Sequence, residues 1–367
     1  MIARRQFLLG SAAMVSGLAA MPGCSIRDEQ FDYQQAVKQT WQQEPRVIRD
    51  LVLLQRELVR YATLAPSSHN TQCWRFRLEP SAITVLPDMT RRCPVVDPDD
   101  HHLFVSLGCA VQNLVEAAGA YGLHADLSFT DAAALRVTLV PTNARESPLF
   151  RAIPARQSTR TEYDSKSLST EELKLLEQAG TGQGVQVILL DDTLAMETTL
   201  EYVIQGNTAQ FNDPSFVQEL KKWIRFSETE AVATGDGLFS RSLGDPVIPR
   251  WLGDRIFDWV VTAKKENDKY AAQLRSSAGI IVFVSEANDR AHWIEVGRCY
   301  ERFALQSAVL GIRNAFLNQP VEVSALRPQF SSYLGIADKR PDLVVRFGRG
   351  PTMPPSLRRS VADVILV

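Results

Sequence analysis

The sequence predicts an α+β fold built from two related halves joined in one chain. Three observations carry that expectation. Runs with apolar residues at helical spacing alternate with short runs rich in Val, Ile and Leu. One long helical run is repeated, and a strand follows each copy. The repeat aligns SLGCAVQNLVEAAGAYGL (Ser106–Leu123) with EVGRCYERFALQSAVLGI (Glu295–Ile312). Gly108 meets Gly297 and Gly122 meets Gly311, each pair 189 positions apart; Leu114 meets Phe303, Ala118 meets Ser307 and Leu123 meets Ile312. Apolar spacing alone is generic in core helices, but two glycines held in register at both ends are not. The chain then reads as a fused pseudo-dimer, a monomer in which the two long helices pack against each other.

The elements follow in order. Residues 26–44 form a polar leader, extended or helical. Pro45–Thr63 places Val47, Leu51, Leu54, Leu58 and Tyr61 at helical spacing, and Pro66 stops the helix at Ala65 by disfavouring the α region in its predecessor. Strands are expected over Trp74–Leu78 and Ala82–Leu86, then a polar, proline-bearing segment to Asp100. Leu103–Tyr121 reads as a buried helix closed by Gly122, and Leu135–Val140 as a strand. After a basic stretch, Arg151–Tyr163, the box Ser169-x-x-Glu172 opens a helix that ends near Gly180. A strand over Val185–Leu190 precedes helices over Thr193–Phe211 and Ser215–Phe226. Gly235–Trp251 is rich in Gly and Pro and too long for a plain connector, so it is expected to be an ordered functional or covering loop. Gly279–Ser285 (GIIVFVS) is a continuous apolar run, hence a buried strand. A helix over Trp293–Ile312 and a strand over Leu343–Phe347 complete the series.

Composition excludes several classes. A chain of 367 residues with 45% hydrophobic and 22% charged residues is neither disordered nor fibrous. A formal net charge of −2 gives no global field for nucleic acid or anionic lipid. Beyond the N-terminus no run is read as long and apolar enough to span a bilayer. The N-terminus itself, MIARRQFLLGSAAMVSGLAAMPGCS, pairs Arg4-Arg5 with Phe7, Leu8 and Leu9 and then a short apolar stretch. That is the pattern of a twin-arginine export signal. The rival reading, a buried N-terminal helix, fits poorly with paired arginines at the start and no acid before Asp28. Residues 1–24 are therefore assigned to the signal, 25–145 to the first half and 151–367 to the second, with a periplasmic destination. Gly23-Cys24 leaves two readings open, a lipid anchor on Cys24 or none, because Met21 and Pro22 match a lipobox poorly. The five cysteines, Cys24, Cys73, Cys93, Cys109 and Cys299, show no C-x-x-C spacing. That gives no zinc or redox motif; a Cys73–Cys93 disulfide and buried free thiols are the alternatives.

Two polar loops concentrate the chemistry. Ala65–Trp74 (APSSHNTQCW) packs a proline, two serines, a histidine, an asparagine, a threonine and a glutamine between a helix and a strand. In an extended Arg156-Gln157-Ser158-Thr159-Arg160, the first, third and fifth side chains share one side. Two guanidinium forks flanking a hydroxyl suit a phosphate; a solvated basic stretch is the plainer alternative.

Taken together, A-P-S-S-x-N-x-Q-x-W before a strand, R-x-S-x-R-x-(F/Y) before a helix and the paired glycine-closed helices resemble the FMN-dependent nitroreductase superfamily. Within it the chain looks most like the Acg-type branch, in which a fused chain replaces the homodimer. The resemblance implies a mixed β-sheet flanked by helices, and FMN as cofactor. In ordinary members the flavin lies at the dimer interface, with R-x-S-x-R from one subunit and P-S-S-x-N from its partner. Here each half keeps one of the two loops, which implies a single FMN per chain. By the same resemblance Arg156, Ser158 and Arg160 hold the phosphate and ribityl chain. Pro66, Ser67, Ser68 and Asn70 line the isoalloxazine and ribityl, and Asn318-Gln319 approaches the ring. Arg358 or Arg359 supplies the C-terminal cation. Cys73 stands where the family places proline before the tryptophan.

The adjacent His101 and His102 are read as a poor chelate because neighbouring side chains diverge, so no metal is expected. His69 is a flavin contact, a proton donor or a solvent-facing loop histidine. Trp41, Trp74, Trp223, Trp251, Trp259 and Trp293 are assigned to core or cover. Flavin chemistry needs no side-chain acid or base, so the expected activity is an oxidoreductase passing hydride or electrons to a flat, electron-poor small molecule such as a nitroaromatic or quinone. The alternative is a flavin-sequestering protein, with Gly235–Trp251 and its Phe239, Leu243, Ile248 and Trp251 as a lid.

Overall fold

Two four-stranded antiparallel sheets organise the chain, and they share one strand order. The structure is a computed structural model that describes residues 25–43, 47–130, 134–336 and 338–366. The expected export signal over residues 1–24, with Cys24, lies outside the described residues.

In the first half, α1 (Ser25–Trp41) precedes α2 (Leu51–Thr63), β1 (Trp74–Glu79), β2 (Ala82–Pro87), α3 (His101–Ala120), β3 (Leu123–Thr130) and β4 (Ala134–Pro141). Helix α2 starts later than its apolar spacing predicts, because Asp50 accepts the Leu53 N–H and caps it there, leaving Val47 outside and exposed. A short α4 (Pro148–Ala152) links to the second half. There α5 (Thr170–Gly180), opened by the expected Ser169/Glu172 capping box, leads into β5 (Val185–Leu190). A long excursion follows: α6 (Thr193–Phe211), α7 (Pro214–Trp223), β6 (Ile224–Arg225), α8 (Glu228–Thr234), β7 (Leu238–Phe239), α9 (Arg250–Val260) and α10 (Ala263–Arg275). The chain then resumes with β8 (Gly279–Ser285), α11 (Arg290–Val309), β9 (Arg313–Phe316), α12 (Gln319–Glu322), α13 (Arg327–Tyr333), β10 (Pro341–Gly348) and α14 (Val361–Val364).

The sheets run β1-β2-β4-β3 and β5-β8-β10-β9, antiparallel at every ladder. Parallel pairing enters at their edges through isolated bridges, Phe76 to Ile365 and Ser158 to Asn314. The first bridge joins the two halves; the second lies within the second half.

Helices α3 and α11 cross at their glycines. A Cβ on Gly108 would lie 2.0 Å from the Ile294 carbonyl oxygen, and one on Gly297 would lie 1.9 Å from that of Val105. Ile294 follows Val105 by the same 189 positions, so this is one contact seen from either helix. Only residues without a side chain let the two backbones approach so closely. Gly122 and Gly311 end their helices at φ 76° and 69°, in the left-handed region glycine favours.

Helix α3 alone among the described helices has the length and hydropathy of a membrane span. It is the central core helix instead, with buried His101, His102, Ser106, Gln112 and Asn113 along it. Cys73, Cys93, Cys109 and Cys299 are buried free thiols. The Cys73 Sγ faces the Leu103 carbonyl and the Cys93 Sγ faces His69, so no Cys73–Cys93 disulfide forms. Trp74, Trp223 and Trp293 are buried, but Trp251 (63% exposed) and Trp259 (82%) stand on the outer face of α9 and belong to neither core nor cover.

Candidate functional site

Helix α2 ends at Thr63, and its last carbonyls need partners. The N–H groups of Leu64 and Ala65 take those of Tyr61 and Ala62, and two arginines take the carbonyls that follow. Arg358 donates to the carbonyls of Thr63 (2.8 Å), Leu64 and Ala65 (3.1 Å each), and Arg156 Nη2 donates to Leu64 (3.1 Å). The loop that follows is sharply wound. His69, Asn70 and Gln72 take φ of 50°, 52° and 52°, uncommon for residues with a Cβ. Internal bonds hold this winding: Gln72 N–H donates to Ser67 Oγ (2.9 Å), and the N–H groups of Asn70 and Thr71 donate to the carbonyls of Ser67 and Ser68 (2.9 Å each). Asn70 Nδ2 donates to the carbonyls of Gly237 (3.0 Å) and Leu357 (3.3 Å), and Gln72 Nε2 to that of Gly235 (2.8 Å). The polar side chains thus tie the loop to the Gly235–Gly237 segment and the C-terminal arm.

The second loop is held from below. Thr159 N–H donates to the Asn314 carbonyl (2.9 Å). Arg346, fully buried and 4.1 Å above the Tyr163 ring centre, donates to the carbonyls of Thr159 (3.1 Å) and Thr161 (2.8 Å). Gln273 donates to the carbonyl between them, that of Arg160 (3.1 Å). Gln157 and Met353 exchange two bonds, of 2.6 and 2.7 Å. Three successive carbonyls are fixed in this way, and the backbone around Arg160 is rigid.

Both loops open into one cavity of about 1020 Å³, at the upper end of the range for cofactor clefts. Pro66, Ser67, Ser68, His69, Asn70, Arg156, Ser158, Arg160, Asn318, Gln319 and Arg358 all line it. Arg359 does not: its backbone N–H bonds Gln72 Oε1 (2.9 Å) and its guanidinium turns to the Asp363 carbonyl (3.0 Å). Much of the remaining wall comes from the excursion. Phe211, Phe216, Leu220, Phe226, Ile248 and Phe257 form an apolar end, while Asn207, Gln210, Lys265, Lys269, Tyr270 and Gln273 add polar groups. Of the expected lid residues, Leu243 and Ile248 line the cavity. Phe239 packs on Tyr33 instead, ring centres 5.0 Å apart.

Cations outnumber anions in the lining: Arg156, Arg160, Lys265, Lys269, Arg313 and Arg358 against Asp245, Glu266 and Glu322. The arginines differ in use. Arg156 points inward, its Nε 3.4 Å from the fully buried Glu301. Burial raises Glu301 to about 7 against the attraction of Arg156. Burial lowers Arg358 to about 9, with the charge of Arg156 adding to the effect. The Arg160 guanidinium faces the cavity and makes no hydrogen bond or ion pair with the described residues. Burial also lowers Arg160. His69 is lowered to about 4, by burial first and then by the charges of Arg160 and His102, so its ring is neutral near pH 7. His101 and His102 do not diverge as expected: their rings lie 4.7 Å apart and both direct Nε2 at Asp342.

No family model matches the chain. Two curated relatives, in two strains of Mycobacterium tuberculosis, are provisionally named NAD(P)H nitroreductases. Each is 26% identical over 325 residues, spanning 84% of this chain and 90% of the relative. Among solved structures, a provisionally named nitroreductase from Anabaena variabilis is 12% identical with a TM-score of 0.45, covering 86% of this chain and 91% of its own. The FMN-dependent nitroreductase NfnB from Mycobacterium smegmatis, solved with NADPH, is 12% identical with a TM-score of 0.38, over 59% and 96%. A nitroreductase with bound FMN from Bacteroides fragilis is 15% identical with a TM-score of 0.35, over 56% and 90%.

Proposed function

We propose that this chain is a flavoprotein of nitroreductase type that binds one FMN between its two halves and passes electrons to a flat, electron-poor small molecule. The observation that carries the reading is the convergence of the Pro66–Asn70 and Arg156–Arg160 loops, from opposite halves, on one cavity. The relatives' names support it.

The residues fit the group. The unpartnered Arg160 guanidinium offers the forked donors a phosphate takes. Ser158, Ser67, Ser68 and Asn70 line the same cavity with hydroxyl and amide groups suited to a ribityl chain. When bound, the flavin supplies the redox chemistry at its ring N5. The chain's own residues position and enclose. Arg346 and Gln273 fix the backbone that aims Arg160. Arg156 and Arg358 secure the start of the Pro66–Asn70 loop through the carbonyls of Thr63, Leu64 and Ala65. The phenylalanine-rich end gives a planar acceptor an apolar surface and excludes water. The fused halves act as an intrachain pseudo-dimer, monomeric in solution.

A second reading, flavin sequestration with little turnover, rests on a different observation. Leu238, Ser240, Ser242, Leu243, Asp245, Pro246 and Ile248 of the expected lid line the cavity. Asn70 and Gln72 clamp its start, and Ser242 Oγ donates to the Pro354 carbonyl (2.8 Å). Purified protein is expected to be yellow; a colourless chain that takes up no added FMN would contradict both readings. Anaerobic addition of NADPH then separates them: bleaching supports turnover, and a persistent oxidised spectrum supports sequestration. We also place the mature chain in the periplasm, exported by the twin-arginine route, with or without a lipid anchor on Cys24. Replacing Arg4 and Arg5 with lysine is expected to leave precursor in the cytoplasm, and continued export would refute this.

A further inference from the structure

A cluster of five titratable side chains at one wall of the cavity has no part in the reading above. His101 and His102 open α3, Asp97 lies just before them, Glu322 ends α12 and Asp342 begins β10. One ligand atom each from Asp97, His101 and His102 lies within 4.8 Å of the other two, and all three residues are buried.

The two imidazoles are each held through Nε2, and Asp97 is held through both oxygens. His101 is fully buried; its Nε2 bonds Asp342 Oδ1 at 2.8 Å, while its Nδ1 is buried with no hydrogen-bond partner. His102 has Nε2 3.2 Å from the Asp342 carbonyl and a ring nitrogen, Nδ1, 3.9 Å from Glu322 Oε1. The carboxylate of Asp97 accepts the N–H groups of His102 (3.1 Å) and Leu103 (2.9 Å), one on each oxygen. A cluster with a purely structural role should satisfy His101 Nδ1, since a buried nitrogen without a partner is destabilising. The arrangement instead matches how proteins brace metal ligands: the far nitrogen of each imidazole is held by a carboxylate or a carbonyl, and the ligating carboxylate is itself hydrogen-bonded.

We infer that Asp97, His101 and His102 form a divalent metal site, with Glu322 as the fourth ligand from the cavity side. Two imidazole nitrogens and two carboxylate oxygens, with no thiolate, suit Zn²⁺. Ligands on a tetrahedral zinc lie roughly 3.3–3.6 Å apart, so Asp97, His101 and His102 draw together on binding and Glu322, 3.9 Å from His102 Nδ1, swings in to join them. The site joins α3 of the first half to α12 of the second, and it does not depend on the flavin reading.

The test is calorimetric titration of the chelator-treated full chain with ZnCl₂, with metal content measured by elemental mass spectrometry. The folded wild type is expected to take up one Zn²⁺ per chain and to melt at a higher temperature with it. His102→Gln is expected to abolish uptake. Glu322→Gln, at the edge of the cluster where folding is least at risk, is expected to weaken binding by about tenfold. X-ray absorption should report nitrogen and oxygen neighbours with imidazole scattering. A folded wild-type chain that binds no Zn²⁺, or Zn²⁺ held as tightly by both folded variants, would overturn the site.

Discussion

The two halves differ most at one connection. In the first half β1 and β2 are joined by Pro80 and Ser81 alone; in the second the equivalent strands, β5 and β8, are separated by residues 191–278. The sheet topology survives this difference unchanged. What changes is burial. Strand β4 alternates between half-buried and buried positions, as expected of a sheet with one covered face, whereas β8 and β10 are buried at every position. Along β8, Ile281 and Phe283 face the central core, while Ile280, Val282 and Val284 pack with Leu200, Val203 and Leu274 of the excursion. The fold is duplicated, but only the second half carries the wall that closes a cavity.

The sharpest way to break this comparison is at the helix crossing. Gly108→Ala and Gly297→Ala each drive a Cβ into backbone, and each is expected to cost more than about 4 kcal/mol by chemical denaturation. Gly311→Ala meets no atom within 4 Å and carries only left-handed strain, about 1–2 kcal/mol. If either crossing glycine tolerates alanine as Gly311 does, the two helices are not equivalent.

Burial predicts the next effect. Val282→Ala and Phe283→Ala, neighbours on opposite faces of β8, should each cost about 2–5 kcal/mol. Val140→Ala in β4, 45% exposed, should stay within about 0.5 kcal/mol. Equal costs at all three sites would mean that the excursion does not bury the second sheet.

The loops give a smaller contrast. Arg160→Ala is expected to weaken FMN retention by about 10- to 100-fold with the melting temperature unchanged. Arg156→Ala should lower both, because it also removes the bond to the Leu64 carbonyl that anchors the Pro66–Asn70 loop. Identical outcomes for the two would show that Arg160 has no special access to the ligand.

The smallest effect is in pH dependence. Glu301 is raised from 4.5 to about 7 in the folded chain, so its stabilising contribution is complete below pH 4.5 and is lost as pH rises through 7. His69 is lowered from 6.5 to about 4, so its contribution is present above 6.5 and is lost as pH falls through 4. Relative to Glu301→Gln, the wild type should therefore lose stability between pH 4.5 and 7. A flat difference across that window would contradict the buried, protonated carboxyl.

Legibility in the sequence followed the same divide. GIIVFVS announced a strand buried on both faces, and Thr193–Phe211 matches α6 at both ends because Asp192 caps it at the start. The glycine register announced the crossing. Helix α10, AKKENDKYAAQLR, has too few apolar residues to show a face, yet it brings Lys265, Lys269, Tyr270 and Gln273 to the cavity. The convergence of His101 and His102 was hidden too. It depends on Asp342, far along the chain, which draws both rings together against the divergence their adjacency predicts.

Flavin stoichiometry tests the central claim most directly. FMN released by acid from the purified full chain, divided by chain concentration and set beside the solution mass, is expected to give one flavin per monomeric chain. Two flavins per chain, or none after incubation with FMN, would contradict a single site shared by the two halves.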